Sequence, residues 1–184
     1  EFGDTYSNKI YVSFSGGKDS TVLLDLVRRV YPDAPAVFFD TGLEYPEIRD
    51  FVKTIPNVTW IKPEMNFRKV IEKYGYPIIS KEVSRDVHTA RNKPTGKTMQ
   101  KFIRGSEFHK KYGDRWLIER WKFMLDAPFL ISNQCCNIMK KNPAKKFEKQ
   151  TGLHPIVATM ACESSLRKAG WLKTGCNTFD GGHP

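Results

Sequence analysis

The stretch Ile10-Tyr11-Val12-Ser13-Phe14-Ser15-Gly16-Gly17-Lys18-Asp19-Ser20 decides the fold. Its first five residues are mostly β-branched and aromatic, as expected of a short strand buried in a parallel sheet. Beyond the loop, Val22, Leu23, Leu26, Val27 and Val30 recur at helical spacing and predict a helix with one apolar face. Strand, glycine turn and helix in that order make a phosphate cradle. Gly16 and Gly17 let backbone approach a ligand closely, Asp19 or Ser20 is placed to cap the helix, and Lys18 adds a mobile positive charge. Unpaired N–H groups at a helix start, at the positive end of its dipole, attract phosphate oxygens. The plainer alternative is an ordinary strand-to-helix turn. A Walker loop is excluded, because the G-x-x-x-x-G-K-[ST] spacing is missing.

Working outward, Ala36-Val37-Phe38-Phe39 reads as a second buried strand ending in Asp40-Thr41-Gly42. A carboxylate at the C-terminal end of a parallel strand lies on the ligand-binding edge of an open α/β sheet, so Asp40 is expected beside the first loop. Tyr45 to Thr54 predicts a helix with Ile48, Phe51 and Val52 inward. Val58 to Ile61 predicts a third strand, and Phe67 to Tyr74 a helix capped by Asn66. Later come a strand-like Phe129-Leu130-Ile131, a Lys-rich helix from Lys140 to Gln150 closed by Gly152, and a buried strand from His154 to Thr159. Alternating strands and helices predict a doubly wound, mainly parallel α/β sheet with helices on both faces. The expected organisation is a single nucleotide-binding domain over 1–184, with a helical basic insertion at about 80–126.

That insertion is distinctive. Between Lys81 and Lys122 stand twelve Lys or Arg against five acids, with His88, His109, Trp116 and Trp121 interleaved and breaks expected near Asn92 to Gly96 and at Gly113. Basic residues with flat side chains suit a polyanion, nucleic acid included. A solvated face whose tryptophans pack inward is the other reading. The whole chain of 184 residues has 30 Lys+Arg against 20 Asp+Glu, a formal net charge of +10. No apolar run is long enough to span a bilayer and no signal peptide is recognisable, so the expected location is cytoplasmic, away from membranes. In that compartment the four cysteines are expected to be reduced, metal-bound or catalytic.

Four segments together resemble the phosphoadenylyl sulfate (PAPS) reductase family, within the adenine nucleotide α-hydrolase-like superfamily. They are SFSGGKDS at Ser13 to Ser20, FDTGLEYPE at Phe39 to Glu47, CCNIMKKNP at Cys135 to Pro143, and ATMACESSLRK at Ala158 to Lys168. The resemblance implies an enzyme of sulfur metabolism that binds an adenine nucleotide, either PAPS, adenylyl sulfate or ATP. Ser15, Gly16, Gly17, Lys18, Asp19 and Ser20 would hold the phosphates, and Asp40, Thr41 and Gly42 would line the adenosine or ribose side. Lys140 would face the transferred sulfate or phosphate, with Glu163 and Arg167 at the phosphate end. Many relatives have an arginine near the position of Met160 or Ala161, which this chain lacks.

The reaction is less determined by the likeness. Reductases of the family attack sulfur with a thiolate carried in a Glu-Cys-Gly-x-His segment, and a thioredoxin-like donor resolves the product. No such segment occurs in these 184 residues, leaving Cys135, Cys136, Cys162 and Cys176 as candidates, with Cys136 the expected nucleophile. The intact SGGKDS loop instead resembles members that cleave ATP with Mg²⁺, which adenylate RNA for thiolation. A nucleotide-binding accessory subunit is the non-enzymatic alternative. Some adenylyl-sulfate reductases hold a 4Fe-4S cluster through a Cys-Cys pair and a later Cys-x-x-Cys. Here Cys162 and Cys176 are spaced more widely, so cluster or zinc ligation, thiol chemistry and plain packing all stay open for the four cysteines.

Overall fold

The computed structural model describes residues 9–112, 118–163, 167–169 and 172, with the side chains of 106–112 and 161 left aside. The chain divides into two compact units, one of Glu1–Lys62 with Pro143–Pro184 and the other of Pro63–Asn142.

The first unit is built on four strands, β1 (Ile10–Phe14), β2 (Ala36–Phe39), β3 (Val58–Ile61) and β4 (His154–Val157). All pair in parallel in the order β3-β2-β1-β4, with Val12 opposite Ala36 and Ile156, and Phe38 opposite Trp60. Because side chains alternate along a strand, Val12 and Phe14 of β1 face one way and Tyr11 the other. On the first face, Val12, Phe14, Ala36 and Phe38 pack with Leu24 of α1 (Lys18–Val30) and Val52 of α2 (Pro46–Thr54). On the opposite face Tyr11 meets Phe147 of α6 (Asn142–Thr151) edge to face, with ring centroids 5.2 Å apart, and donates its hydroxyl to Glu148 Oε1 at 2.9 Å. Helices thus cover both faces of a parallel sheet, the doubly wound arrangement expected from the sequence.

Tyr11 is 1% exposed, and burial first, then the Glu148 hydrogen bond and charge, push its phenol well above the ordinary value of 10.0. A raised phenol favours the folded state below the unfolded pKa and loses that contribution as pH climbs past about 10. The denaturation midpoint of the wild type should therefore fall between pH 9 and 11 more steeply than that of Tyr11→Phe. At neutral pH that variant should be less stable by about 1 kcal/mol, the value of one hydrogen bond. Parallel pH profiles for the two proteins would contradict this.

Two expectations about α1 need correction. The helix starts at Lys18 behind the N-cap Gly17, so Asp19 and Ser20 lie inside its first turn and neither caps it. The Ser20 hydroxyl turns back instead, donating to Gly17 O at 2.9 Å and accepting the Ser15 N–H at 3.2 Å. This inward anchor sets the rotation of the helix. Ser20, Leu24 and Val27 face the sheet with Leu23, while Val22, Leu26 and Val30, expected inside, are exposed. In α2, Ile48 and Val52 point inward as expected, but Phe51 remains 38% exposed.

The second unit contains α3 (Phe67–Tyr74), α4 (Lys81–Asn92), α5 (Lys97–Tyr112), a 3₁₀ segment at Ile118–Asp126 and a π-helical turn at Asn137–Lys141. Asn66 caps α3 by accepting the Lys69 N–H, as expected, and Ser80 caps α4 through Val83 N. The break between α4 and α5 falls at the expected place, whereas Gly113, Trp116 and the His109 side chain lie outside the described residues. Val83, Val87, Ala90, Phe102, Ile118 and Ile131 form the core of this unit, with half-buried Trp121 against it. Of the strand expected at Phe129 to Ile131, one residue pairs: Ile131 makes a parallel bridge with Tyr76. The backbone of Leu130 and Ile131 lies where a Cβ of Gly75 would be, so only glycine, here at φ +101°, admits that approach. The Lys-rich helix begins with the π turn, which sequence periodicity does not reveal, and closes as expected at Gly152, whose N–H reaches Glu148 O. The last strand ends at Val157 instead of Thr159.

Among the described residues no helix is long and apolar enough to cross a membrane.

Candidate functional site

In an open parallel sheet, ligands bind at the carboxyl ends of the strands where the strand order reverses. Here β1 connects to β2 on one side and pairs with β4 on the other, so the reversal falls between β1 and β4. A cavity of about 300 Å³ opens at that point, lined by Ser13, Ser15, Gly17, Asp19, Ser20, Val157, Ala158 and Thr159. Four of the six loop residues expected to bind phosphate line it. Thr21 is the first residue of α1 to donate back into the helix, to Gly17 O, which leaves the Lys18, Asp19 and Ser20 amides as its first-turn donors. Gly17 N is steadied by Ser15 Oγ at 3.3 Å, and the Ser15 and Ser20 hydroxyls lie 3.0 Å apart. Lys18, with 82% of its side chain exposed, holds Asp19 at 2.5 Å on the cavity rim. Gly16 sits at φ +73° beneath α2.

At the end of β2, Asp40 is buried, with its side chain 2% exposed. Its Oδ1 accepts the Gly42 N–H at 3.1 Å and its Oδ2 accepts Arg49 Nη2 at 2.9 Å. Thr41 donates to Glu44 Oε1 at 2.7 Å, while Glu44 Oε2 and Arg49 Nε are buried without a hydrogen-bond partner. Glu44 and Arg49 were not singled out from sequence. The signal available was the Glu-x-x-x-x-Arg spacing just past Asp40, where α2 carries the arginine back over its own start. Beyond β4, Glu163 accepts the Met160 N–H at 3.3 Å and pairs with Arg167.

Cys135, Cys136 and Lys140 belong to the second unit, and Cys162 to the first; Cys176 lies outside the described residues. Cys135 and Cys136 are half-buried, Cys162 is exposed, and none of the three is in a disulfide. Because the Tyr76–Ile131 bridge is parallel, the segments leading to Lys81 and to Cys135 leave it at the same end. Burial pushes the Cys135 thiol up, and Cys136 adds to this by charge and side-chain hydrogen bonding. A Cys136 backbone contact and the Lys81 charge pull the other way. Lys81 is thus a neighbour of the pair that the sequence reading counted only as one of a basic run. Lys140 is exposed on the π turn.

No group of three His, Cys, Asp or Glu that could hold a metal ion occurs among the described residues. The adjacent pair supplies two sulfurs, where a 4Fe-4S cluster takes four ligands. The described residues therefore do not by themselves fit such a cluster.

Residues 9–93 match the family model of the phosphoadenosine phosphosulfate reductase domain. The chain is similar to an adenosine 5′-phosphosulfate reductase of Staphylococcus epidermidis, 31% identical over 96 residues, which are 49% of this chain and 40% of that protein. An adenosine 5′-phosphosulfate reductase of Bacillus subtilis is 31% identical over 77 residues, 39% of this chain and 33% of its own length. An uncharacterized protein of Methanocaldococcus jannaschii is 42% identical over 73 residues, 37% of this chain and 18% of that protein. The chain spans two fifths or less of the length of these relatives.

Proposed function

We propose that the chain, whose residues 9–93 match the phosphoadenosine phosphosulfate reductase domain, is a member of that family, binds an adenine sulfonucleotide and acts in its reduction. The observation that carries this is the cavity at the β1–β4 reversal, floored by the first turn of α1. There the amides of Lys18, Asp19 and Ser20 meet the phosphate, with the helix dipole behind them and the Lys18 ammonium free to swing from Asp19 to the anion. The turn after Asp40 lines the adenosine side. Glu163 holds Arg167 for the phosphate end, and Lys140 balances charge on the transferred sulfate.

For the sulfur step the chain offers Cys136. Its thiolate attacks the sulfate sulfur, an S–S bond forms, and the S–O bond to the nucleotide phosphate breaks, releasing the adenine nucleotide. A dithiol donor of the thioredoxin class then attacks the enzyme sulfur. It leaves oxidised to a disulfide as sulfite departs and the Cys136 thiol is restored. Two thiols of the donor supply the two electrons that take sulfate sulfur to sulfite.

The exposed Lys18 on an otherwise complete SGGKDS turn favours a second reading, cleavage of ATP to transfer an adenylyl group, with RNA among the acceptors. Sulfite release from adenylyl sulfate or PAPS with a thiol donor supports reduction, and pyrophosphate release from ATP supports adenylation. Nucleotide binding with neither product is the accessory-subunit outcome. In each case Lys18→Ala should weaken nucleotide binding by about tenfold, one charge-assisted contact. Wild-type affinity in that variant would remove the loop from the site.

A further inference from the structure

Exposed helices elsewhere in this chain balance their cations with an acid one turn away. Arg29 pairs with Asp25 on α1, Lys53 with Asp50 on α2 and Arg68 with Glu72 on α3. Past α4 that pattern stops. Glu82 and Asp86 are both taken by Arg85, and Arg91 is occupied by backbone carbonyls. Lys93, Lys97, Arg104, Arg120 and Lys122 are all exposed, and none of them has an acid partner among the described residues, although Glu119 and Asp126 lie in the same stretch. Uncompensated like charges repel one another and destabilise the unit that carries them until an anion neutralises them.

Two rings stand among these cations. Lys97 and Arg104 are seven residues apart, about two turns, and share the face of α5 opposite buried Phe102. That helix packs through Met99 and Phe102 on Ile118 and Trp121 of the 3₁₀ segment, which also carries Arg120 and Lys122. Trp121 is half-buried against the core, whereas Phe123 is 61% exposed, its ring centroid 6.1 Å from that of Trp121 with the planes at 49°. A solvent-facing ring, backed by a second ring and set beside cations, suits an unstacked base joined to phosphates. An acidic protein surface would use the cations alone, and a duplex keeps its base faces inside its own stack.

We propose that this surface of the second unit binds single-stranded nucleic acid. Lys93, Lys97, Arg104, Arg120 and Lys122 hold phosphates of the strand, and Phe123 stacks on a base. The inference is independent of the nucleotide reading, which rests on the loop of the first unit.

Fluorescence anisotropy tests this with the full 184-residue chain and a labelled oligouridylate about 15 nucleotides long. The logarithm of the affinity should fall linearly with that of the salt concentration. Lys97→Gln and Arg104→Gln should each reduce the slope by about 0.7, the share of one single-strand phosphate contact. Phe123→Ala should weaken binding about tenfold with the slope unchanged, because stacking releases no counterion. Phe123→Leu, apolar but not flat, should lose nearly as much while melting with the wild type, since the ring stands in solvent. A wild type that does not bind the strand at low salt, or that binds a duplex of the same length as tightly, overturns the proposal. Inorganic polyphosphate that displaces the strand equally well from the wild type and from Phe123→Ala also overturns it, leaving a cation surface without a base site. Lys18→Ala should bind the strand as the wild type does. A loss there would put the strand in the nucleotide loop and overturn this inference while the nucleotide reading stands.

Discussion

Gly16→Val is expected to lower the melting temperature by on the order of 10 °C and to abolish nucleotide binding, because it offends the backbone and the packing at once. Gly16 has φ +73°, where an L side chain costs about 1–2 kcal/mol. A Cβ built there lies 2.8 Å from Ile48 Cγ2 and 3.0 Å from Val52 Cγ2, both on α2. Those atoms belong to a helix packed on the sheet, so they cannot swing aside, and overpacking of this kind adds roughly 1–3 kcal/mol. Either the loop moves, and the α1 amides lose their aim, or α2 moves, and Arg49 leaves Asp40. The informative control is Gly17→Ala. Gly17 has φ −81°, and its added Cβ meets only Ser15 Oγ, at 3.4 Å. That variant should melt within a few degrees of the wild type while still narrowing the approach to phosphate. Circular dichroism melts of the two proteins decide the matter: equal stability would mean that Gly16 is dispensable for the turn.

The sheet was legible because buried parallel strands are written as short apolar runs between turn residues, and Ile10–Phe14, Ala36–Phe39 and Val58–Ile61 all read that way. The loop was legible as a turn for a related reason, since a glycine pair between an apolar run and a helical pattern marks where strand gives way to helix. What escaped depends on contacts between residues distant in sequence, or on a side chain acting against its type. Periodicity places an apolar face on α1 but not its rotation, and the Ser20 hydroxyl, bonded into the preceding loop, turned Val22, Leu26 and Val30 outward. Asp40 was found at its strand end, yet its carboxylate is engaged by Arg49, nine residues on, a pairing that sequence spacing alone does not show. The π turn beside Cys136 has no compositional mark at all. In the basic run the count of charges was right, but Arg91 is a structural residue there, and a count cannot tell a solvated cation from one clasping backbone.

Arg91→Ala should therefore destabilise the second unit by about 3–4 kcal/mol, far beyond the usual effect of removing a lysine or arginine from a charged helix. The Arg91 guanidinium donates to Phe129 O at 2.7 Å, to Met124 O at 2.6 Å and to Ala127 O at 2.9 Å. Three carbonyls of one irregular stretch are thus gathered by a single planar cation on α4, close to the core of Val87, Ala90 and Ile118. Truncation removes three charge-assisted bonds; Met124 O keeps the Ala127 N–H at 3.4 Å, whereas Phe129 O and Ala127 O lose the guanidinium donor, which is the costly half of breaking a hydrogen bond. Arg91→Lys should recover only a minor share, because one ammonium lacks the fork that reaches separated acceptors. Hydrogen exchange tests this by location as well as size. Amides of α4 and of Ile118–Asp126 should lose protection together in Arg91→Ala, and again, less severely, in Arg91→Lys. Exchange that rises only at the exposed end of α4 would show that the stretch from Met124 to Phe129 is held by its own packing, and that Arg91 belongs with the solvated charges after all.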